Sequence, residues 1–220
     1  EALAHTNARP LAGGTDLIPQ LRAGRRHAGT IVDLKAVPEC TTVTIDDAGR
    51  IIIGAAATAA TIAASPAVAR HLPALVAALQ MIGSWQVQNR ATLGGNVCNA
   101  APSADAIPPL LVHDAEAHIA APGSERMLPL AEFFEGPGRT RLAPGELLVA
   151  IVVPAQPPRT TSAYLRFTPR REMDIAIAGV AARVSLSATG KVASVSLALA
   201  AVAPTPILAT IATSALLGTS

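Results

Sequence analysis

The chain has 220 residues, half of them apolar and only 2% aromatic, enough for one or two domains around an aliphatic, alanine-filled core. A formal net charge of +2 leaves no electrostatic footprint for nucleic acid. Two cysteines, Cys40 and Cys98, with no C-x-x-C, point to neither a disulfide framework nor a zinc site.

The chain opens at Glu1 inside an apparent helix, EALAHTN. RPLAGG is a strand entering a glycine turn. TDLIPQLRA is a short helix, capped by Thr15 or Asp16, with Leu17, Ile18 and Leu21 on one face. Thr30 to Leu34 is a buried strand, and TTVTID and RIIIGAA form a hairpin around DDAG. An alanine-rich helical region follows: Thr58 caps AATIAAS, Pro66 opens another turn, and Pro73 begins a helix that ends at Gly83. Residues 89–105, NRATLGGNVCNAAPSAD, read as loop. Ser103 is a candidate cap for ADAIPPLLVHD, whose Pro108 and Pro109 require a late start or a kink.

AEAHIAA and ERMLPL pair as strands around PGS, and Leu147 to Pro154 is a strand. The Pro-rich linker AQPPRT places a domain boundary near residue 157. Beyond it SAYLRFTP, IAIAGVAARVSL and KVASVSLALAAV predict an antiparallel meander, closed by PTPILATIATSALLG. No residue from Val192 to Ser220 is charged, yet Pro204, Pro206, Gly218 and the alternating first half read as strand, turn and helix rather than a membrane span. The expectation is a soluble, cytoplasmic chain. The missing initial Met and the ragged ends suggest a fragment or a processed chain.

Two Gly-Gly pairs organise the candidate site. A diphosphate needs several N–H donors converging at short range; glycine lets the backbone bend to supply them and lets the anion approach. LAGGTDL offers strand, Gly13-Gly14, then a helix start whose free N–H groups add to the cradle. TLGGN offers a second cradle, with the Thr92 hydroxyl as an extra donor. Either pair alone also fits an ordinary turn. Asp105 fits acceptance of hydrogen bonds from sugar hydroxyls and fits helix capping equally. Asn96 and Asn99 bond a ligand or shape the loop. Cys98 reads as a small buried apolar residue. The knot Arg22, Arg25, Arg26, His27 reads as a solvated loop, with a phosphate site as its alternative. Arg166, Arg170, Arg171, Glu172 and Asp174 fit an ion-paired edge strand or a charged loop at the mouth of a redox site.

Catalytic motifs are missing from this sequence: it has no GxGxxG, GxxxxGK[ST], HExxH or GxSxG. His5, His27, His71, His113 and His118 form no ligand set. No catalytic residue and no metal ligand is assigned, so redox chemistry would reside in a bound cofactor.

LAGGTDLIPQLRAG, QNRATLGGNVCNAAPSAD, FFEGPGRTRLAPGELLVAIVVP and YLRFTPRREMDIA occur in one order and spacing. Together they resemble the FAD-binding (medium) subunits of molybdenum hydroxylases, the family of carbon monoxide dehydrogenase and bacterial xanthine dehydrogenase. The resemblance implies an α+β fold. Residues 1–157 would be a two-lobed FAD-binding domain of the vanillyl-alcohol-oxidase/MurB type, with lobes of roughly 1–54 and 55–157 and its N-terminal strand missing. Residues 158–220 would be a truncated, smaller α+β domain with an antiparallel sheet.

It further implies that Leu11, Ala12, Gly13, Gly14, Thr15, Asp16, Leu17 and Ile18 form the first cradle and Thr92, Gly94, Gly95 and Asn96 the second. Asp105 would bind flavin sugar or ribityl hydroxyls and Leu148 would line the flavin site. Arg166 stands where relatives often carry Lys, and Ile82 where some carry an aromatic near the flavin ring. Met173 replaces an acidic residue of the animal xanthine enzymes. The implied role is electron transfer. A large subunit with molybdopterin hydroxylates a substrate, a small subunit with two [2Fe-2S] clusters passes electrons to FAD here, and FAD reduces NAD+, oxygen or another acceptor. With no cysteine-rich insert, this chain would hold no cluster of its own. A stand-alone flavin oxidoreductase and a non-catalytic nucleotide-binding scaffold are the alternatives.

Overall fold

The computed structural model describes residue 3, residues 7–170 and residues 173–219. The helix expected over residues 1–7 therefore lies almost wholly outside the described residues, as do His5, Arg171 and Glu172.

The first unit is the expected β-α-β, although its second strand, expected to be buried, is largely exposed, with only Leu34 beyond it in a core. Strand β1 (Ala8–Leu11) runs into the glycine turn, α1 (Leu17–Arg22) follows, and β2 (Thr30–Asp33) pairs parallel to β1, Ala8 opposite Thr30 and Leu11 opposite Asp33. Helix α2 (Pro38–Thr41), unforeseen in the sequence reading, is started by a proline at its first position, where no N–H bond is lost. Strands β3 (Val43–Ile45) and β4 (Ile51–Gly54) form the expected hairpin. Asp46 holds its turn by accepting from the Ala48 and Arg50 amides and from Arg50 Nε at 2.7 Å.

Helix α3 (Ala59–Ala63) is capped by Thr58, whose Oγ1 accepts from the Thr61 amide at 3.1 Å. Helices α4 (Pro66–His71) and α5 (Pro73–Gln80) each open on proline. The stretch read as loop is in fact built around helix: α6 (Trp85–Gln88) precedes it and α7 (Leu93–Asn99) occupies its centre. Helix α8 (Ile107–Val112) begins after Ala106 rather than at Ser103, because Pro108 and Pro109 fit only a first turn. Strands β5 (Glu116–Ala121) and β6 (Ser124–Pro129) pair across Pro122-Gly123. A small hairpin of β7 (Phe134–Gly136) and β8 (Arg139–Thr140) leads to β9 (Leu147–Val153).

The five-stranded sheet has the order β3-β4-β9-β5-β6, all antiparallel. The β3–β4 hairpin thus joins the strands of the following segment, so the sheets divide before Val43 rather than at residue 54. Long-range pairing of Ile51 with Val153 and Ile53 with Ile151 decides this, and no local pattern announces it. The alanine-rich helices bury Ile62, Leu75, Leu79, Leu93, Ile107 and Leu110 together with Ile53, Ile119 and Ile151 of the sheet. Each such side chain contributes about 1.5–3 kcal/mol of burial. A second, small cluster of Leu34, Cys40 and Ala56 joins the first unit to this body.

The last segment is the predicted meander: β10 (Thr160–Phe167), β11 (Ala178–Leu186), β12 (Val192–Ala200) and β13 (Ile207–Leu208), in that spatial order, followed by α9 (Thr210–Ser214). Tyr164, Ala181 and Ala198 on its inner face belong to the same core as α5 and α8.

A polar clasp crosses that contact. Gln156 Nε2 donates to the Pro154 carbonyl at 2.7 Å, so Gln156 Oε1 is an acceptor and His113 Nδ1–H donates to it at 2.8 Å. His113 Nε2 then accepts from the Ser162 hydroxyl at 2.9 Å, and Ser162 Oγ accepts from the Ala74 amide at 3.2 Å. Every member is satisfied only while His113 is neutral. Burial, opposed by the bond to Gln156, holds its pKa down at about 4. An unfolded histidine binds its proton near pH 6.5, so stability is fully present above that pH and is lost as pH falls toward 4. Chemical denaturation between pH 7 and 4 should show a loss of up to about 3 kcal/mol that His113→Gln abolishes. An unchanged pH profile in that variant would refute the assignment.

Candidate functional site

A cleft of about 430 Å³ opens between the first unit and the helical body. Arg9, Ala12, Gly13, Thr15, Asp16 and Leu17 form one wall; Thr92, Gly94, Gly95, Asn96, Cys98 and Asn99 form the other. The β7–β8 hairpin and the start of β9 supply Gly138, Thr140, Leu142, Glu146 and Leu148, and Ile82 and Val87 add apolar surface.

In the first wall the backbone is held from behind. Lys35 Nζ donates to the Ala12 carbonyl at 3.2 Å and to Asp33 Oδ1 at 2.6 Å. Gly13 lies so close to the Arg90 carbonyl that a Cβ would collide with it. Gly14 takes φ +76°, a left-handed turn open to glycine, with Leu11 and Ile18 packed beneath it rather than lining the cleft. Ile18 N–H bonds the Gly14 carbonyl at 3.1 Å. Before it, the N–H groups of Gly13, Gly14, Thr15, Asp16 and Leu17 have no acceptor among the described residues. The Asp16 side chain accepts from Gln20 Nε2 at 2.6 Å and makes no cap bond.

The second wall differs from expectation. TLGGN is the N-cap and first turn of α7, and its donors after Thr92 are already used. Leu93 N–H bonds Ala57 O at 3.2 Å, Gly94 N–H bonds Ala55 O at 2.8 Å, and Asn96 N–H bonds Thr92 O at 3.0 Å. Gly95 N–H bonds Thr92 Oγ1 at 3.1 Å. Thr92 is therefore an N-cap, and among the described residues its own N–H and its hydroxyl proton are left to give. Gly94 is required because any Cβ would strike Ala55. Gly94 serves packing here, and the longer run of open backbone donors lies on the first wall.

Two buried polar atoms on the cleft residues lack partners among the described residues: Arg9 Nε on the first wall and Asn96 Oδ1 on the second. Such orphans cost free energy unless a ligand meets them. Cys98, read as buried, is exposed in the cleft; its thiol sits in a concave wall where desolvation pushes it up to about 12. Glu146 is clamped by Arg126 Nε at 2.7 Å and Nη2 at 2.8 Å, which with the Ala143 amide holds its carboxyl down at about 2. Of the basic knot, Arg26 alone lines the cleft; Arg22, Arg25 and His27 are exposed elsewhere.

Asp105 and Arg166 are not brought to this cleft. Asp105 Oδ1 accepts from the Tyr164 hydroxyl at 2.7 Å and Oδ2 from Arg166 Nη1 at 2.8 Å. Both carboxylate oxygens are engaged, and the two side chains are only 10% and 8% exposed. Burial raises the Asp105 pKa against the lowering by Tyr164 and Arg166. Asp105 is not the cap of α8 either. Ile82 and Leu148 do line the cleft. Sequence reasoning did not single out Arg9, Glu146 or the β7–β8 hairpin; the two-residue strand β8 is too short to leave a periodic signal.

Gly94→Val should cost the apo chain about 3 kcal/mol in urea unfolding through overpacking against Ala55. A variant of wild-type stability would remove the packing argument. Arg166→Met strands a buried carboxylate and should cost about 3–5 kcal/mol in the same assay. A loss under 1 kcal/mol would show that the pair is not a structural one.

A family model described as the FAD binding domain in molybdopterin dehydrogenase matches residues 1–156, and one described as the CO dehydrogenase flavoprotein C-terminal domain matches residues 148–220. The chain is 40% identical over 201 residues to the putative xanthine dehydrogenase FAD-binding subunit XdhB of Escherichia coli (strain K12), covering 91% of this chain and 68% of that protein. It is 33% identical to the carbon monoxide dehydrogenase medium chain of Hydrogenophaga pseudoflava, covering 92% and 69%. Among solved structures, cyanide-inactivated Cu,Mo-CO dehydrogenase superposes with TM-score 0.92 at 30% identity, over 99% of this chain and 75% of that one.

Proposed function

Because the chain belongs to the FAD-binding medium subunits of the molybdenum hydroxylases, we propose that it is the flavin-bearing electron-transfer subunit of such an oxidoreductase. In this reading a large subunit with molybdopterin oxidises the substrate and a small subunit with [2Fe-2S] clusters relays the electrons. This chain passes them to NAD+, oxygen or another acceptor. Residues 1–157 are its FAD-binding domain and residues 158–220 belong to its C-terminal domain. Its place is the cytoplasm, in keeping with two free cysteines and with no described helix long and apolar enough to cross a membrane.

The observation that carries the reading is the run of unspent N–H groups from Gly13 to Leu17 at the cleft edge. Successive amides without acceptors, with a left-handed glycine among them, suit a diphosphate. FAD, when bound, supplies the capacity to take up two electrons and to hand them on singly or together. The chain's own residues bind and enclose. Backbone amides 13–17 hold the diphosphate, the Thr92 hydroxyl and Asn96 side chain offer bonds from the facing wall, and Ile82, Val87, Leu142 and Leu148 exclude water from an apolar ring system. Asp105 and Arg166 support the site from outside the cleft by fixing β10 to the segment before α8.

The test is the visible spectrum of the chain co-expressed with its partner subunits. One flavin per chain is expected, bleached by the substrate of the large subunit when the iron–sulfur subunit is present. A chain that takes up no flavin after incubation with FAD would be a scaffold, and flavin reduced by a substrate without partners would make it a stand-alone enzyme.

A further inference from the structure

We infer that Arg9 is the cationic partner of the cofactor's diphosphate, a contact that makes this cleft select for a dinucleotide over a bare flavin. The inference rests on the FAD reading above. Arg9 lies in β1, four residues before the first glycine of the cradle, and it lines the same cleft wall as Gly13, Thr15 and Asp16. Its Nε is buried with no partner, and Arg9 joins none of the ion pairs among the described residues. A guanidinium atom taken out of water with nothing to bond is costly, and a phosphate is the group whose geometry answers it with paired, charge-assisted bonds.

The other charges on the cleft leave the task to Arg9. Glu146 is neutralised by Arg126, and Asp16 is turned onto Gln20. Arg26 is exposed, so solvent and salt screen it. The amides of residues 13–17 are dipoles without net charge, and a diphosphate brings about two negative charges to them. The facing wall has its helix amides spent. Arg9 is thus a cleft-lining cation whose buried Nε has no partner among the described residues, on the same wall as the open amides.

The experiment measures binding of FAD, ADP and riboflavin to the full chain stripped of flavin, for wild type, Arg9→Met and Arg9→Lys, at low and high salt. ADP carries the diphosphate without the flavin, and riboflavin carries no phosphate. Arg9→Met should weaken FAD and ADP on the order of 10- to 100-fold, leave riboflavin unchanged, and flatten the salt dependence. Arg9→Lys keeps the charge without the fork and should fall between. Should Arg9→Met fail to fold, Arg9→Lys decides alone: FAD and ADP weakened with riboflavin unchanged supports the contact. FAD and riboflavin weakened equally, or FAD binding unchanged, overturns it. A wild-type chain that binds neither FAD nor ADP overturns the flavin reading itself, and this inference with it.

Discussion

Backbone lying directly on backbone at two glycines sets the width of the cleft. Gly13 rests on the Arg90 carbonyl and Gly94 on Ala55, each with no room for a Cβ. The first approach brings the β-α-β unit against the segment leading into α7. The second seats α7 on the strand end of β4. A Cβ at Gly13 would push the walls apart, and one at Gly94 would lift α7 off the end of β4.

The two walls then divide the work. One keeps its amides open by anchoring the chain from behind, through Lys35 on the Ala12 carbonyl. The other satisfies its amides internally and presents side chains. The body behind them carries no evident acid, base or nucleophile poised for chemistry: His113 is locked neutral in the clasp, and Asp105 is committed to Tyr164 and Arg166. Such an arrangement suits a subunit that houses a redox group and leaves bond-breaking to another chain.

Much of this was legible in the residues. The strand, glycine turn and helix of LAGGTDL are local features, and local rules found them. The reading of TLGGN failed for an equally local reason. Glycine serves both an exposed donor and a close approach, and Thr followed three places later by Gly is compatible with either. The fate of the β3–β4 hairpin was hidden because its partner, β9, lies about a hundred residues on. Arg9 was unreadable too, since an arginine in a short strand is ordinarily solvated and its burial depends on walls contributed from elsewhere. Asp105 was named as a ligand-facing residue because its motif is conspicuous, while the tyrosine and arginine that take both its oxygens are about sixty positions further along.

The shared core of the helices and the last sheet has a consequence for synthesis. Tyr164, Ala181 and Ala198 cover apolar surface of α5 and α8, whose first residues, Pro73 and Ile107, are made 119 and 85 residues before the first residue of β12, Val192. Until β12 is made, part of that apolar surface is uncovered, the condition under which partly synthesised chains aggregate. For the same reason the last sheet is a poor candidate for exchange between proteins as a free-standing cassette: removing it would strip the helices bare.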